Sequence, residues 1–596
     1  MLFSHFLLSI FPRFEVLHNR YRSGYHSTMR YATSRPRVLG LFRSAAILDG
    51  DWGTSICYVL GIAFALAGYS GGLHLGVMLI LTGLVAVNYV TICRLYPDGG
   101  GVYSSVRHRS HIWAVIGGLL LAANYIITIS LSVIAACHYI GFNNPQAWAI
   151  VIILATGILN WFGPRKAGSV AIWISLASIV AILVIIGMSA PSALSRPQLT
   201  PPSGGLLRNW EIFVATILSI SGIESISNMT GVMRNPARTS RQAILAVLTK
   251  VVIATVFLTL AMLAVPDLRG HTEDMIRYLG EYYVADWFGY VVGILLGTLL
   301  ISAGSTALAA LISLQFLMAV DGELPAQLRK LNRHGVPEIA VVVATGIPIA
   351  VLMVIHDLLT LAQLYAIGVV GAILINVAST GTDPSLQLKM RERVFMIFSA
   401  IVLFAVEATI VVSKHKALIF ACLIIALGLA AREYARRRKV IVPVPELAAV
   451  EAGGSFGLGT GSSTSSKFLV AYKEGRDKLL SFAASEAKHH DAMLYVLQIQ
   501  EVSVGYLPEN VPNGTHENNH RIEEICEEYG VECKAISMIS NEVGYTIAEN
   551  AAMLGVDRVI LGTPKRTMLE RALKANVIDT VSNLLPEEIQ LVVFAG

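Results

Sequence analysis

The sequence predicts an α-helical polytopic membrane protein of twelve spans, arranged as a five-plus-five inverted repeat with two appended helices. A cytosolic α/β domain with a doubly wound sheet follows. Three observations predict this. Of 596 residues, 54% are hydrophobic and 14% charged, with a mean hydropathy of +0.62, whereas soluble domains carry roughly 25% charged residues. Apolar stretches of spanning length recur from Ala45 to Arg432. Beyond residue 466 short apolar runs alternate with amphipathic ones, the pattern of a parallel β/α sheet. This balance excludes a purely cytosolic enzyme, a secreted disulfide scaffold and a disordered chain. The six cysteines (Cys57, Cys93, Cys137, Cys422, Cys526, Cys533) form no C-x-x-C pair and point to neither a metal nor a disulfide framework.

Residues 1–43 read as an N-terminal cytoplasmic extension. The apolar run Leu2–Phe11 is half the length a bilayer requires, about 20 residues, and Met29 is a candidate start. Residues 44–435 are the membrane domain, with spans near 45–69, 74–95, 112–138, 146–162, 168–189, 210–232, 242–265, 286–319, 338–356, 358–379, 394–413 and 416–432. Lys and Arg gather in alternate loops: Arg35/Arg37/Arg43, Arg94/Arg107/Arg109, Arg165/Lys166, Arg234/Arg238/Arg241, Arg329/Lys330/Arg333, Lys389/Arg391/Arg393 and Arg432/Arg436/Arg437/Arg438/Lys439. Cytoplasmic loops retain such residues, so both termini are expected in the cytoplasm. Residues 436–466 are a basic, then Gly/Ser-rich linker, and a flexible coil by composition.

Residues 467–596 make the cytosolic domain. Its strands are expected at 467–472, 492–500, 533–538, 558–561 and 589–594, and its helices at 476–489, 521–529, 541–554 and 569–585. Residues 464–596 hold 12 Lys+Arg against 19 Asp+Glu, a net −7, and the rest of the chain 33 against 21, a net +12. An acidic tail is a poor ligand for nucleic acid, so no nucleic-acid polymer is expected as a partner.

Two spans are interrupted by glycine and a carboxylate. The first contains Asp49-Gly50-Asp51-Trp52-Gly53-Thr54-Ser55 and the sixth Ser219-Ile220-Ser221-Gly222-Ile223-Glu224-Ser225. Matched interruptions five helices apart point to an inverted-repeat transporter with its site at the midplane. Irregular backbone at that depth is tolerated only where it lines a cavity. A carboxylate within a span by default marks an ion or proton path, which singles out Asp51 and Glu224. Hard monovalent cations want oxygen ligands that replace hydration water. Thr54, Tyr58, Thr128, Ser132, Ser221 and Tyr365 supply hydroxyls, and Tyr125 shares a helical face with Thr128 and Ser132. Lys250, inside the seventh span, either snorkels or pairs with a carboxylate. Glu407, in the eleventh, reads as structural or as an oligomer contact. No nucleophile and base pair appears, so the chain is not read as an enzyme.

Gly50-Asp51-Trp52-Gly53-Thr54-Ser55-Ile56-Cys57-Tyr58 resembles the first-helix signature G-D-x-G-T-S-x-x-Y of Kup potassium uptake permeases. Tyr96-Pro97-Asp98-Gly99-Gly100-Gly101-Val102-Tyr103, Gly222 to Asn228 and Leu364 to Val369 are similar to segments of the KimA-type permeases of that group. The likeness covers residues 43–435 and lies within the amino acid, polyamine and organocation superfamily. It implies a LeuT-like fold and proton-coupled potassium uptake across a prokaryotic plasma membrane. Asp51, Tyr58, Thr128, Ser132, Ser221, Glu224 and Tyr365 fall where that family holds potassium, and Asp51 and Glu224 where it couples protons. Ser221 replaces a threonine. Asn124 stands where relatives can carry an acid, which leaves the proton stoichiometry open.

The tail, from Lys467-Phe468-Leu469-Val470-Ala471-Tyr472 to Gly562-Thr563-Pro564-Lys565, resembles a universal stress protein domain. The phosphate-cradling glycines of its nucleotide-binding members reduce here to Gly562, with Lys565 replacing the second and Ala575-Asn576 near the last pair. A homodimerisation or regulatory module is therefore expected ahead of a nucleotide site. A nucleotide, the cyclic dinucleotide that regulates KimA relatives included, is kept as an alternative ligand. No other cofactor is expected. Two alternatives to potassium transport stand: an amino acid or polyamine permease of the same superfamily, and a sensor built on a transport-dead core. Asp51 would repel a substrate carboxylate, which favours a cation.

Overall fold

A computed structural model describes residues 39–437 and 466–595, apart from residues 98, 100, 163–166, 196–197, 199, 333, 474, 503–514, 541, 564–575 and 587. The readings above that concern residues 1–38, linker residues 438–465, Asp98, Gly100, Arg165, Lys166, Arg333, Pro564, Lys565 and Ala575 lie outside these. The chain divides into two compact units, one of residues 37–330 and 337–432, the other of residues 331–336 and 433–596 together with the N-terminal residues.

The first unit is helical. Its first helical run comprises α1 (Leu41–Asp51), a 3₁₀ turn (Trp52–Thr54), α2 (Ile56–Ala67) and α3 (Gly71–Leu95). The short α4 (Val102–Val106) precedes α5 (His111–Ile140), α6 (Pro145–Trp161) and α7 (Ala167–Ser195). The sixth segment is split into α8 (Leu206–Ala215), a 3₁₀ turn (Ile217–Ile220) and the one-turn α9 (Ser225–Asn228). Then come α10 (Pro236–Leu263), α11 (Met275–Tyr283), α12 (Asp286–Val320), α13 (Glu338–Val354), α14 (Leu358–Thr382), α15 (Met390–Ser413) and α16 (His415–Arg437).

Among the described residues, eight helical stretches are long and apolar enough to cross a membrane. This differs from the expected twelve for physical reasons. The helical path from Leu41 to Leu95 runs as one 55-residue stretch. The apolar helices Pro145–Trp161 and Glu338–Val354 are shorter, at 17 residues each, and the sixth segment is broken into pieces of at most 10 residues. The chain is a multi-pass membrane protein.

α5 is the central helix. Its most apolar window is wholly buried, as expected of a helix that is hydrophobic all round. Ser110 caps its start by accepting from the Trp113 amide, and Gly141 ends it in the left-handed region at φ 86°, the two terminal devices of a well-defined helix. It packs against α12 and α14. Outward positions of α6 and α7 are large and apolar, among them Trp148, Val151, Leu154, Trp173, Leu176 and Leu183, a surface suited to lipid. After α3, the chain folds back as α4. Tyr103 donates to Asp321 Oδ2 (2.7 Å), and His108 pairs with Asp383 (2.8 Å) just beyond α14. Burial pushes the Asp383 carboxyl up, but hydrogen bonds from Ser385 and His108 outweigh it and hold the group below its ordinary value.

The second unit holds a five-stranded, all-parallel sheet in the order β3-β2-β1-β4-β5. Its strands are β1 (Lys467–Tyr472), β2 (Met493–Glu501), β3 (Cys533–Ser540), β4 (Arg558–Gly562) and β5 (Gln590–Phe594). The helices are α17 (Asp477–His489), α18 (Thr515–Tyr529), α19 (Val543–Leu554) and α20 (Val577–Leu584). A strand covered on both faces reads as a continuous apolar run, and β1 shows why. Phe468, Val470 and Tyr472 enter one core with Leu480 and Ile522, while Leu469 enters the opposite core with Ile547 and Val559. Leu480 is fully buried, so Leu480→Ala should destabilise this domain by about 2–5 kcal/mol. Chemical denaturation of the full chain, followed by hydrogen exchange in β1, checks that value.

Candidate functional site

The two interruptions touch. In α1 the helix continues through Asp51, tightens to a single 3₁₀ turn and resumes at Ile56, so the first break is narrower than an unwound stretch. The sixth segment yields more, with turns on either side of Gly222, which has φ 89°. A Cβ on Gly222 would lie 2.6 Å from the Trp52 amide nitrogen, 2.8 Å from the Asp51 carbonyl carbon and 2.9 Å from Asp51 Oδ1. Only glycine combines that backbone conformation with that approach.

Around this contact the predicted residues gather. Asp51 and Glu224 are 6% and 3% exposed, and among the described residues neither forms an ion pair. The Asp51 carboxyl faces Ser225 and the Glu224 carboxylate. Glu224 Oε1 accepts from Asn124 Nδ2 (2.7 Å), and Oε2 from the Gly222 amide (3.1 Å). Ser221 hydrogen-bonds the Tyr365 hydroxyl, and Tyr58, buried on α2, reaches the same serine. Thr54 donates to the Asp51 carbonyl (2.7 Å), and Thr128 to the Asn124 carbonyl (2.9 Å). A hydroxyl whose proton is committed to backbone keeps lone pairs for another guest. Tyr125 is turned to a different use and accepts from Asn228 Nδ2 (2.8 Å). Ser132 is buried one turn beyond Thr128 on α5.

One element was not marked as a site in the sequence. Lys250 Nζ on α10 pairs with Asp49 Oδ1 at 2.6 Å, their side chains 14% and 5% exposed, and Ser175 on α7 donates to the other Asp49 oxygen. Lys250 thus pairs rather than snorkels. Gly53 makes room for this pair, since a Cβ there would lie 1.9 Å from Asp49 Oδ1 and 3.0 Å from Lys250 Nζ. The available signal was Asp49 and Gly53 at helical spacing i, i+4 beside a lysine in an apolar segment.

Residues 39–440 match the model of the amino acid permease family. The chain belongs to that family. Residues 465–588 match the universal stress protein family, so the permease unit carries a domain of that family at its C-terminal end. Among curated relatives, the potassium transporter KimA of Bacillus subtilis is 25% identical over 337 residues, half of this chain and 55% of that protein. The lysine-specific permease LysP of Escherichia coli is 25% identical over 255 residues, 38% of this chain and 51% of that protein. The polyamine transporter RMV1 of Arabidopsis thaliana is 24% identical over 262 residues, 41% of this chain and 53% of that protein. The chain spans about half the length of these relatives, which differ in the cargo their names give.

Proposed function

We propose that this permease is a secondary active transporter that takes up a monovalent cation, potassium, with protons across the plasma membrane. The observation that carries this reading is the buried pair Asp51 and Glu224, which lacks an ion-pair partner among the described residues while the nearby lysine is committed to Asp49. Two carboxylates withdrawn from water repel one another and carry a desolvation penalty of several kcal/mol each. A bound cation offsets both, and hydroxyl and carbonyl oxygens replace its water. Asp51, Thr54, Tyr58, Thr128, Ser132, Ser221, Glu224 and Tyr365 are the proposed ligands, with Asn124 and Tyr125 holding the cage and Asp51 and Glu224 exchanging protons. On this reading twelve spans form two inverted five-helix repeats plus two helices, both termini are cytoplasmic, and the C-terminal domain regulates transport or pairs two copies of the chain. A nucleotide remains the alternative ligand of that domain.

A second reading is a permease for a cationic amine, a lysine or polyamine-like cargo, favoured by the names of two relatives. The same carboxylates would receive its ammonium. Rubidium uptake into proteoliposomes under an inward proton gradient, with lysine and putrescine as competitors, separates the two. Asp51→Asn and Glu224→Gln should each lower rubidium uptake by about tenfold or more, a loss of at least about 1.4 kcal/mol of interaction. Unchanged rubidium flux in both variants, together with carriage of an amine, would overturn the potassium reading. Deleting residues 464–596 in the same assay tests regulation by the tail.

A further inference from the structure

Tyr365, Gly368 and Gly371 of α14 follow one i, i+3 ridge that slants round the helix. Tyr365 meets Ser221 at the cage. A Cβ on Gly368 would lie 2.9 Å from the Asn124 amide nitrogen and 3.0 Å from the Leu120 carbonyl, so α14 rests here directly on the α5 backbone. A Cβ on Gly371 would lie 3.0 Å from Leu120 Cδ1 and 3.1 Å from Glu407 Oε1. The seam that begins at the cage therefore ends on the carboxyl of Glu407, which α15 carries. Six residues of helix separate its two ends, about 9 Å along the axis.

Among the described residues Glu407 forms no ion pair. Its Oε2 is buried without a hydrogen-bond partner. α15 packs on α14, and also on α3 and α8. α14 offers Gly371 at this point, α8 meets α15 through the bond from Trp210 Nε1 to Thr409 Oγ1, and among the described residues neither Arg208 and Glu211 of α8 nor His74 and Tyr89 of α3 forms a hydrogen bond or ion pair with Glu407. An ionised carboxylate so placed is far more costly than the neutral acid, so this conformation favours the protonated form. An intramembrane acid without a structural partner is by default part of a proton path.

We propose that Glu407 is a proton-carrying side chain of the transport cycle, a second acid outside the cation cage. The inference rests on the cation–proton symport reading above. In the conformation described, the acid keeps its O–H bond. When water reaches it from the cytoplasmic side, that bond breaks and the proton passes to water. The resulting carboxylate then takes a proton from a hydronium ion that reaches it from the other side, which re-forms the O–H bond and leaves water.

The test uses the full chain in proteoliposomes. For the wild type, rubidium uptake should be several-fold greater with an inward proton gradient than without one. In Glu407→Gln that ratio should fall to about one, whereas Glu407→Asp should keep a gradient response with a displaced pH profile. A Glu407→Gln protein whose uptake retains the wild-type gradient ratio and pH profile overturns the proposal. A wild type that carries no rubidium defeats the symport reading instead, and Glu407 is then judged by infrared difference spectra between acid and alkaline pH. The expected result is a carboxylic-acid carbonyl band present in the wild type and in Glu407→Asp and missing in Glu407→Gln. A spectrum unaltered by Glu407→Gln overturns the assignment whatever the cargo.

Discussion

Lys250→Met is expected to lower the unfolding temperature of the purified protein sharply and to abolish uptake, although among the described residues Lys250 hydrogen-bonds none of the proposed cation ligands. Methionine keeps the length of the side chain and removes its charge. Asp49 is then left 3% exposed with Ser175 as its remaining partner. Removing one member of a buried ion pair costs about 3–5 kcal/mol, because the survivor stays desolvated and unpaired. Asp49 lies two residues before Asp51 in α1, so any movement that rehydrates it displaces the cage. The double variant Asp49→Asn/Lys250→Met removes both charges and should recover most of the lost stability, since neutral replacement of a buried pair is often harmless. Thermal unfolding in detergent measures both. A single variant as stable and active as the wild type would show that the pair holds nothing together.

This pair also marks the limit of what one sequence reveals. Asp51 and Glu224 were legible because a carboxylate beside glycine inside an apolar segment is costly wherever it points. The partner of Asp49 lies 201 residues away, and no local spacing encodes a contact between α1 and α10. The reading therefore left Lys250 with two options and did not mark Asp49. Glu407 was visible as an intramembrane acid, but Gly371 opposite it, which admits its carboxyl to the seam, became meaningful only with α14 and α15 side by side. In the C-terminal domain the strands were legible to within a residue or two at their ends; in the inner strands β1, β2 and β4 burial on both faces makes a nearly continuous apolar run, while the outer β3 and β5 are more exposed. The helix expected at 569–585 was less so: the structure describes Val577–Leu584, with residues 564–575 outside the described set. The first interruption is short: Thr54 and Ser55 donate to the Asp51 and Trp52 carbonyls and hold the turn together as 3₁₀, a local detail that the glycines alone did not specify.

Gly222→Ala tests whether the site depends on contact between the two interruptions or merely on its carboxylates. The substitution leaves every proposed ligand in place. It adds a methyl to a residue at φ 89°, a conformation that costs an L-residue roughly 1–2 kcal/mol. The methyl would point at the Trp52 amide and the Asp51 carbonyl carbon, both closer than 3 Å, and backbone atoms inside a helix cannot rotate aside as a side-chain tip can. The sixth segment must therefore shift away from α1. That shift separates Glu224, two residues on in the same segment, from Asp51. The expected result is uptake near background in a protein that still reaches the membrane, with apparent cation affinity weakened by tenfold or more, about 1.4 kcal/mol or above. Gly346→Ala on α13 is the matched control, because nothing lies within 4 Å of its added methyl and alanine favours the helix. It should transport like the wild type. If Gly222→Ala transports as well as Gly346→Ala, the carboxylates do not need the contact, and a cage assembled from both interruptions is the wrong description of the site.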